Sequence, residues 1–443
     1  MRLPTLPLLL LSACAAPCGG PQPAADDDRS VIERRLARAE TAGVQAHVTA
    51  ETVSTDAAPS TDDADQAAAL AALGYLDEGE EVTGVHKQGT DVHRAEASSE
   101  GLNAFTMGAR PGAVLVDMTG AEVHRWDFAI TDAWPGLDHP EMIPEKIPWR
   151  RIQVLENGDL IGIWSGYGLA RITADARLIW GHWLPVHHDL HVYPDGRVVT
   201  LTAHPVDRPA LSAEPVIDDR LTWLSADGYP ERSVSVLDAL MAHPDWDRLW
   251  AGRTDRDTND VLHTNTVFVL EEDHADAHPA FTAGRVLVSM RALSALALID
   301  PTSGEAVWVH TGPYVRQHDP QVTADGKLWV FDNQGAGKKR SRMLRYDLAT
   351  NKIEWRWTGT PDHRFFTRTC GHAQPLQGGN LLVTSSEQGV AYEVTPEGEV
   401  VWSYHVPQAL VESRGARRVR RFFAFQRLPA SWALDWIAGA DPG

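Results

Sequence analysis

In five segments of this 443-residue sequence, a polar residue stands four places before an apolar strand position. Counting back from Val192, Val267, Val322 and Leu376 reaches His188, His263, His318 and His372, and the same count from Leu155 reaches Arg151. Imidazole titrates near neutrality, and when neutral it offers one lone pair to a metal, a proton or an electrophile. A set of such rings suits metal binding, with iron, zinc or copper as candidates. It also suits group transfer, in which one ring attacks, another moves a proton and arginines hold an anion. Arg291 and Arg342 favour the second chemistry. Fixed guanidinium forks repel a cation and grip a sulfate- or phosphate-type oxyanion with two hydrogen bonds.

Something must bring these positions together. After each one comes a short strand, a tight turn and a returning apolar run. The turns are Glu156-Asn157-Gly158-Asp159, Pro194-Asp195-Gly196, Asp325-Gly326 and Gln377-Gly378-Gly379-Asn380. Glycine supplies the positive φ that such hairpins need. A second mark recurs later in each unit, where a polar turn precedes Trp126, Trp180, Trp308, Trp355 or Trp357, and Trp402. Four strands at a period of roughly 40 to 50 residues define a β-propeller blade. Six units are expected, near 101–128, 149–181, 187–225, 262–309, 317–358 and 371–405, with insertions at 205–260 and at Glu271 to Thr282. The run Arg420 to Arg427 is expected to return to the first blade and close the ring.

The fold class is therefore all-β, a six-bladed β-propeller over 101–428. Successive inner strands begin at one face of such a ring, which puts His188, His263, His318, His372 and Arg151 around one axial mouth. Asp189 and Asp319 directly follow two of the histidines and are expected to hold loops of neighbouring blades.

The flanks read differently. Residues 14–100 form an acidic, disordered or partly helical tether. From Pro21 to Glu100 there are 17 acidic residues against 6 basic ones, a net of -11 out of -20 for the whole chain. That balance excludes a nucleic-acid partner, which demands a basic footprint. Residues 1–13 resemble an export signal, with Arg2, an apolar run Leu6 to Leu11 too short to span a bilayer, and small residues after it. Leu11-Ser12-Ala13-Cys14 resembles a bacterial lipobox, so Cys14 is expected to carry lipid and anchor an exported protein in the cell envelope, at the periplasm or outer membrane. Cys18 and Cys370 make no metal-ligand spacing, and Cys370 is expected as a small buried apolar group. Residues 429–443 are a C-terminal tail.

Within the propeller, Asp260-Val261-Leu262-His263-Thr264-Asn265, Ser289-Met290-Arg291, Gln317-His318-Asp319, Phe331-Asp332-Asn333 and Ser341-Arg342 resemble, in order and spacing, the bacterial PAPS-independent aryl-sulfate sulfotransferases. Ala113 to Asp117 and Val123 to Trp126 are similar to that family's first blade. The resemblance implies a two-step passage of sulfate from an aryl sulfate to a phenol through a sulfohistidine, without a cofactor. By position His263, His318 and Arg342 match family active-site residues. His372, one blade after His318, is the candidate nucleophile; Arg291, His188, Arg151 and Asn333 are candidate substrate-binding residues. Two rival expectations use the same fold. One is an iron-dependent oxygenase on the histidine ring, as in carotenoid-cleaving enzymes, and the other is a propeller that only binds a partner.

Overall fold

The computed structural model describes residues 87–437 except 108–110, 136–146, 255, 257, 338, 408, 409, 414, 415, 420, 421, 424 and 433. The expected signal, tether and Cys14 lie outside the described residues, apart from the last residues of the tether.

Six antiparallel sheets form a β-propeller ring. Blade 1 comprises Leu102–Thr106, Ala113–Val116 and Glu122–Trp126, with Phe425–Leu428 returning from the other end of the chain as its innermost strand. This is the expected ring closure. Blade 2 spans Arg151–Val154 to Leu178–Trp183, blade 3 Val186–Val192 to Pro230–Ser235, and blade 4 Phe268–Val269 to Ala306–Thr311. Blade 5 spans His318–Thr323 to Lys352–Trp357 and blade 6 His372–Pro375 to Val400–His405.

Each blade packs both faces against neighbours, so its middle strands read as unbroken apolar runs instead of alternating ones. Leu160–Trp164, Val286–Met290 and Ala295–Ile299 are buried at every position. Among the described residues there are six core clusters, and each fills one blade–blade interface. The inner turns take the predicted form, with Gly158, Gly196 and Gly326 at φ 82°, 86° and 74°.

Two repeated polar devices stitch the blades. The first explains three of the recurrent tryptophans. One position on the outer strand, just past a bulge, donates to a backbone carbonyl in the next blade's turn. Trp180 reaches Ala226 at 3.0 Å, Trp355 reaches Pro396 at 2.7 Å and Trp402 reaches Met118 at 2.9 Å. Blade 1 fills the slot with His124, bonded to Ala174 at 2.8 Å, and blade 3 with Arg232, bonded to Pro301 at 2.9 Å. The second device is a glutamine on the inner strand. Gln426 accepts from Val154 N, Gln153 from Val192 N and Gln374 from Arg427 N, at 3.1, 3.2 and 2.8 Å. Gln321 donates to the Ala373 carbonyl.

Two boundaries differ from expectation. The insertion expected at 205–260 begins later, because Val216–Leu224 and Pro230–Ser235 complete blade 3 and helices at Val236–Met241 and Trp246–Ala251 follow. Asp218, Asp219 and Arg220 hide that strand in the sequence. The two carboxylates are buried and paired, Asp218 with Ser235 Oγ at 2.6 Å and Asp219 with the Thr264 amide at 2.7 Å. At the other boundary, Gly89–His93 lies within the expected tether yet pairs with Val400–His405 as a fifth strand of blade 6. Its partner is three hundred residues away, beyond any local pattern. The insertion expected at Glu271 to Thr282 is present and carries a 3-10 turn at Glu272–Ala277.

Candidate functional site

Bulges and short inner strands release the mouth residues from the sheets. In blade 3, Leu190 pairs with Thr200 and His187 with Leu201, so His188 and Asp189 bulge out of the ladder. In blade 5 the register slips between His318 and Gln321. Blade 4 keeps only Phe268–Val269 as a regular inner strand; His263 to Thr266 precede it, and of these Asn265 lines the hollow. Left-handed backbone concentrates here, with Asp319 at φ 47° and Cys370 at 61°. Non-glycine residues accept that cost where surrounding contacts enforce it.

A hollow with about 320 Å³ of atom-free space, including the solvent at its opening, is lined by Arg150, Arg151, His188, His318, Asp319 and Phe423, among others. His318 is the most fully oriented ring. Asn333 Nδ2 donates to the carbonyls of Thr367 (3.0 Å) and Cys370 (2.7 Å), which turns its Oδ1 towards His318 Nδ1 at 2.8 Å. The Arg316 carbonyl also lies 3.1 Å from Nδ1. The proton therefore sits on Nδ1 and the lone pair on Nε2, where the Cys370 amide approaches at 3.2 Å. Burial, then the positive field of Arg291, holds this imidazole well below its usual range, although the Asn333 bond opposes them. His318 is a neutral ring whose Nε2 accepts from the Cys370 amide.

His263 is gripped twice by Asp260. The carboxylate accepts the His263 amide at 3.0 Å and its ring Nδ1 at 2.5 Å. Burial works against ionisation of Asp260, but the His263 ring outweighs it and holds the carboxylate low. His188 Nδ1 meets His187 Nδ1 at 2.8 Å, and His187 Nε2 lies 3.4 Å from Asp219. Burial, with Arg150 and the neighbouring imidazoles, keeps His188 neutral.

Asp189 and Asp319 hold neighbouring blades, as expected. Asp189 accepts the Val267 amide at 2.9 Å and pairs with Arg151 Nε at 2.8 Å. Asp319 accepts the Ala373 amide at 2.6 Å. Burial raises both carboxyls, and Asp319 is pushed up to about 7 despite the opposing field of Arg151.

The remaining candidates are placed differently from one another. His372, expected as nucleophile, is buried beside Asp319 with Nε2 3.8 Å from its carboxylate, and it is not part of the hollow's lining. Arg342 has its Nε on Asp332 at 2.6 Å and a terminal nitrogen on the Pro313 carbonyl at 2.7 Å, which secures the loop around Gly335. Arg291 sits beside His263, its amide donating to the His263 carbonyl at 3.2 Å. Asn333 orients His318 from behind. The sequence reading passed over Arg150 and Phe423; the first was adjacent to the counted slot, the second in the aromatic run of the closing segment. Among the described residues no group of three or more His, Cys, Asp or Glu converges as metal ligands do.

The fold and mouth together define a propeller with an axial hollow of oriented, neutral imidazoles and guanidinium groups. The chain belongs to the arylsulfotransferase (ASST) family, whose model matches residues 151–406, the inner strand of blade 2 through blade 6. A comparison with curated proteins yields no match. Among solved structures the chain is similar to a protein of unknown function from Bacteroides caccae, at 14% identity, 73% of this chain, 98% of that chain and TM-score 0.46. It is also similar to a streptogramin B lyase, at 13% identity, 80% of this chain, 98% of that chain and TM-score 0.42. A third likeness is to a virginiamycin B lyase from Staphylococcus aureus, at 11% identity, 80% of this chain, 99% of that chain and TM-score 0.40. Similarities this distant carry no argument about activity.

Proposed function

We propose that this protein transfers a sulfuryl group from an aryl sulfate to a phenol through a sulfohistidine on His318, without PAPS. The orientation of His318 carries the reading. A nucleophilic imidazole needs its lone pair on one nitrogen and its other nitrogen held by an acceptor, and to attack, Nε2 must release the Cys370 amide that it accepts here. Asn333 is that acceptor, and burial keeps the ring unprotonated. His318 lines the hollow and His372 does not; His263 and Arg291 also lie outside the lining, His263 against the lining residue His188.

In the first step His318 Nε2 attacks sulfur, the N–S bond forms and the S–O bond to the aryl group breaks. The departing phenolate keeps the bonding electrons and takes a proton from His263, whose Nδ1 the Asp260 carboxylate holds. In the second step the acceptor phenol gives its proton back to His263, its oxygen attacks sulfur and the N–S bond breaks. Arg291, whose charge reaches His318 and whose amide bonds the His263 carbonyl, stabilises charge on the sulfuryl oxygens, much as cations do in phosphoryl transfer. Export and lipid on Cys14 belong to the same reading and rest on Leu11-Ser12-Ala13-Cys14.

The test is p-nitrophenyl sulfate with the purified protein and a phenol, no PAPS present. Phenol-dependent nitrophenol release is expected, with sulfate trapped on the His318 peptide by mass spectrometry. His318→Ala is expected to abolish both, whereas His372→Ala retains the label. A label on His372, or turnover by His318→Ala at the wild-type rate, sinks the assignment.

A further inference from the structure

Arg150 plays no part in that scheme, yet it is the unpaired cation of the hollow. Its side chain is 7% exposed and its guanidinium lies over the Phe423 ring at 4.0 Å. Among the described residues its side chain makes no hydrogen bond or ion pair, and its Nε is sealed from solvent without a partner. Its field reaches His188, His318 and Asp189. Arg151, next in sequence, is already committed to Asp189. Buried cations are normally paired, because desolvation otherwise goes uncompensated. A guanidinium plane fixed on an aromatic face and bordering a cavity is half of a bidentate oxyanion clamp.

We infer that Arg150, backed by Phe423, anchors the anionic head of the substrate, and that the hollow takes a monoanionic sulfate-type group over a dianionic phosphate-type one. This deepens the sulfuryl-transfer reading and rests on it for the substrate class. The selectivity follows from charge. Arg151 and Asp189 cancel, burial keeps His188 and His318 neutral, and Asp319 adds negative charge only as it ionises near 7. Outside the lining, Arg291 and Asp260 are of opposite sign. Among the lining residues one positive charge, Arg150, remains below pH 7, and Asp319 offsets it as it ionises above, which disfavours a dianion further. Sulfate esters carry a single negative charge, whereas phosphate monoesters approach two above a pH of about 6.

Calorimetry on the full chain at neutral to slightly alkaline pH, with p-toluenesulfonate and phenylphosphonate as probes, reads binding without turnover, since neither has an ester oxygen to leave. Wild type is expected to bind the sulfonate about tenfold tighter than the phosphonate, and Arg150→Gln to weaken the sulfonate about tenfold. Arg150→Lys should recover part of the loss, and Arg150→Gln should melt no lower than wild type, because it removes an unpaired buried charge. Equal binding of the two probes, no binding by wild type, or unchanged sulfonate affinity in Arg150→Gln overturns the inference. If Arg150→Gln does not fold, Phe423→Leu decides, since unchanged affinity there removes the backing role. Arg150-dependent sulfonate binding in a protein that transfers no sulfate ends the transfer scheme and leaves the anchor standing. Transfer with unchanged KM in Arg150→Gln does the reverse.

Discussion

His188 and His263 occupy the same repeat position in adjacent blades, both in left-handed backbone at φ 56° and 51°, and their rings meet edge to face with centroids 5.0 Å apart. A histidine in that conformation costs on the order of 1 kcal/mol or more, which asparagine bears more easily. His188→Asn and His263→Asn are therefore expected to melt at or above the wild-type temperature while phenol-stimulated nitrophenol release falls by roughly a hundredfold. Thermal scans beside rate measurements check this. Lower melting with activity retained would make the rings scaffold.

His318 should leave a mark on the pH profile. Its pKa lies well below 6.5 because of burial and Arg291, so the donor step is expected to hold its rate from pH 8 down to 6. Asn333→Asp sets a carboxylate against Nδ1 and favours the imidazolium, moving the acid limb upward by about one pH unit or more. Single-turnover rates against pH measure it. A wild-type limb at 6.5 argues that the ring titrates normally.

Asp319 links pH to stability. Its folded pKa is about 7 against an ordinary 3.8. Between those values the folded protein holds a proton that the unfolded chain has lost. This contribution is complete below 3.8, declines as pH rises and is gone above 7, with a slope of at most about 1.4 kcal/mol per pH unit. Asp319→Asn has no proton to lose. Its stability relative to wild type should rise from pH 4.5 to 7.5 and then level off, as read by urea melts. A flat difference would mean that the carboxyl is ionised throughout.

The outer-strand slot is separable from chemistry. Trp355→Phe removes the donor to the Pro396 carbonyl and should cost about 1 kcal/mol by denaturant titration, with transfer rates unchanged. A rate loss larger than the stability loss would tie blade spacing to the mouth.

Much of this architecture was legible beforehand because its signals are local. An Asn-Gly or Asp-Gly turn forms its hairpin within four residues, and the tryptophan slot repeats at a fixed place after each outer turn. The strand Val216–Leu224 was not legible, since its buried Asp218 and Asp219 look like surface residues until Ser235 and Thr264 are seen to satisfy them. Gly89–His93 was missed for the same kind of reason, its partner being at the far end of the chain.

By itself the sequence determined a six-unit β repeat with imidazoles and an arginine at one recurrent position, which is enough to gather them at one mouth. Only the tertiary structure decided which nitrogen of His318 carries the proton, and that the Arg151 side chain is paired while that of Arg150 is not. The physical reason is that each side chain's state depends on a partner from another blade. Asp189 is held by Val267, and Asn333 is turned towards His318 by the Thr367 and Cys370 carbonyls. No spacing within a single blade contains those contacts.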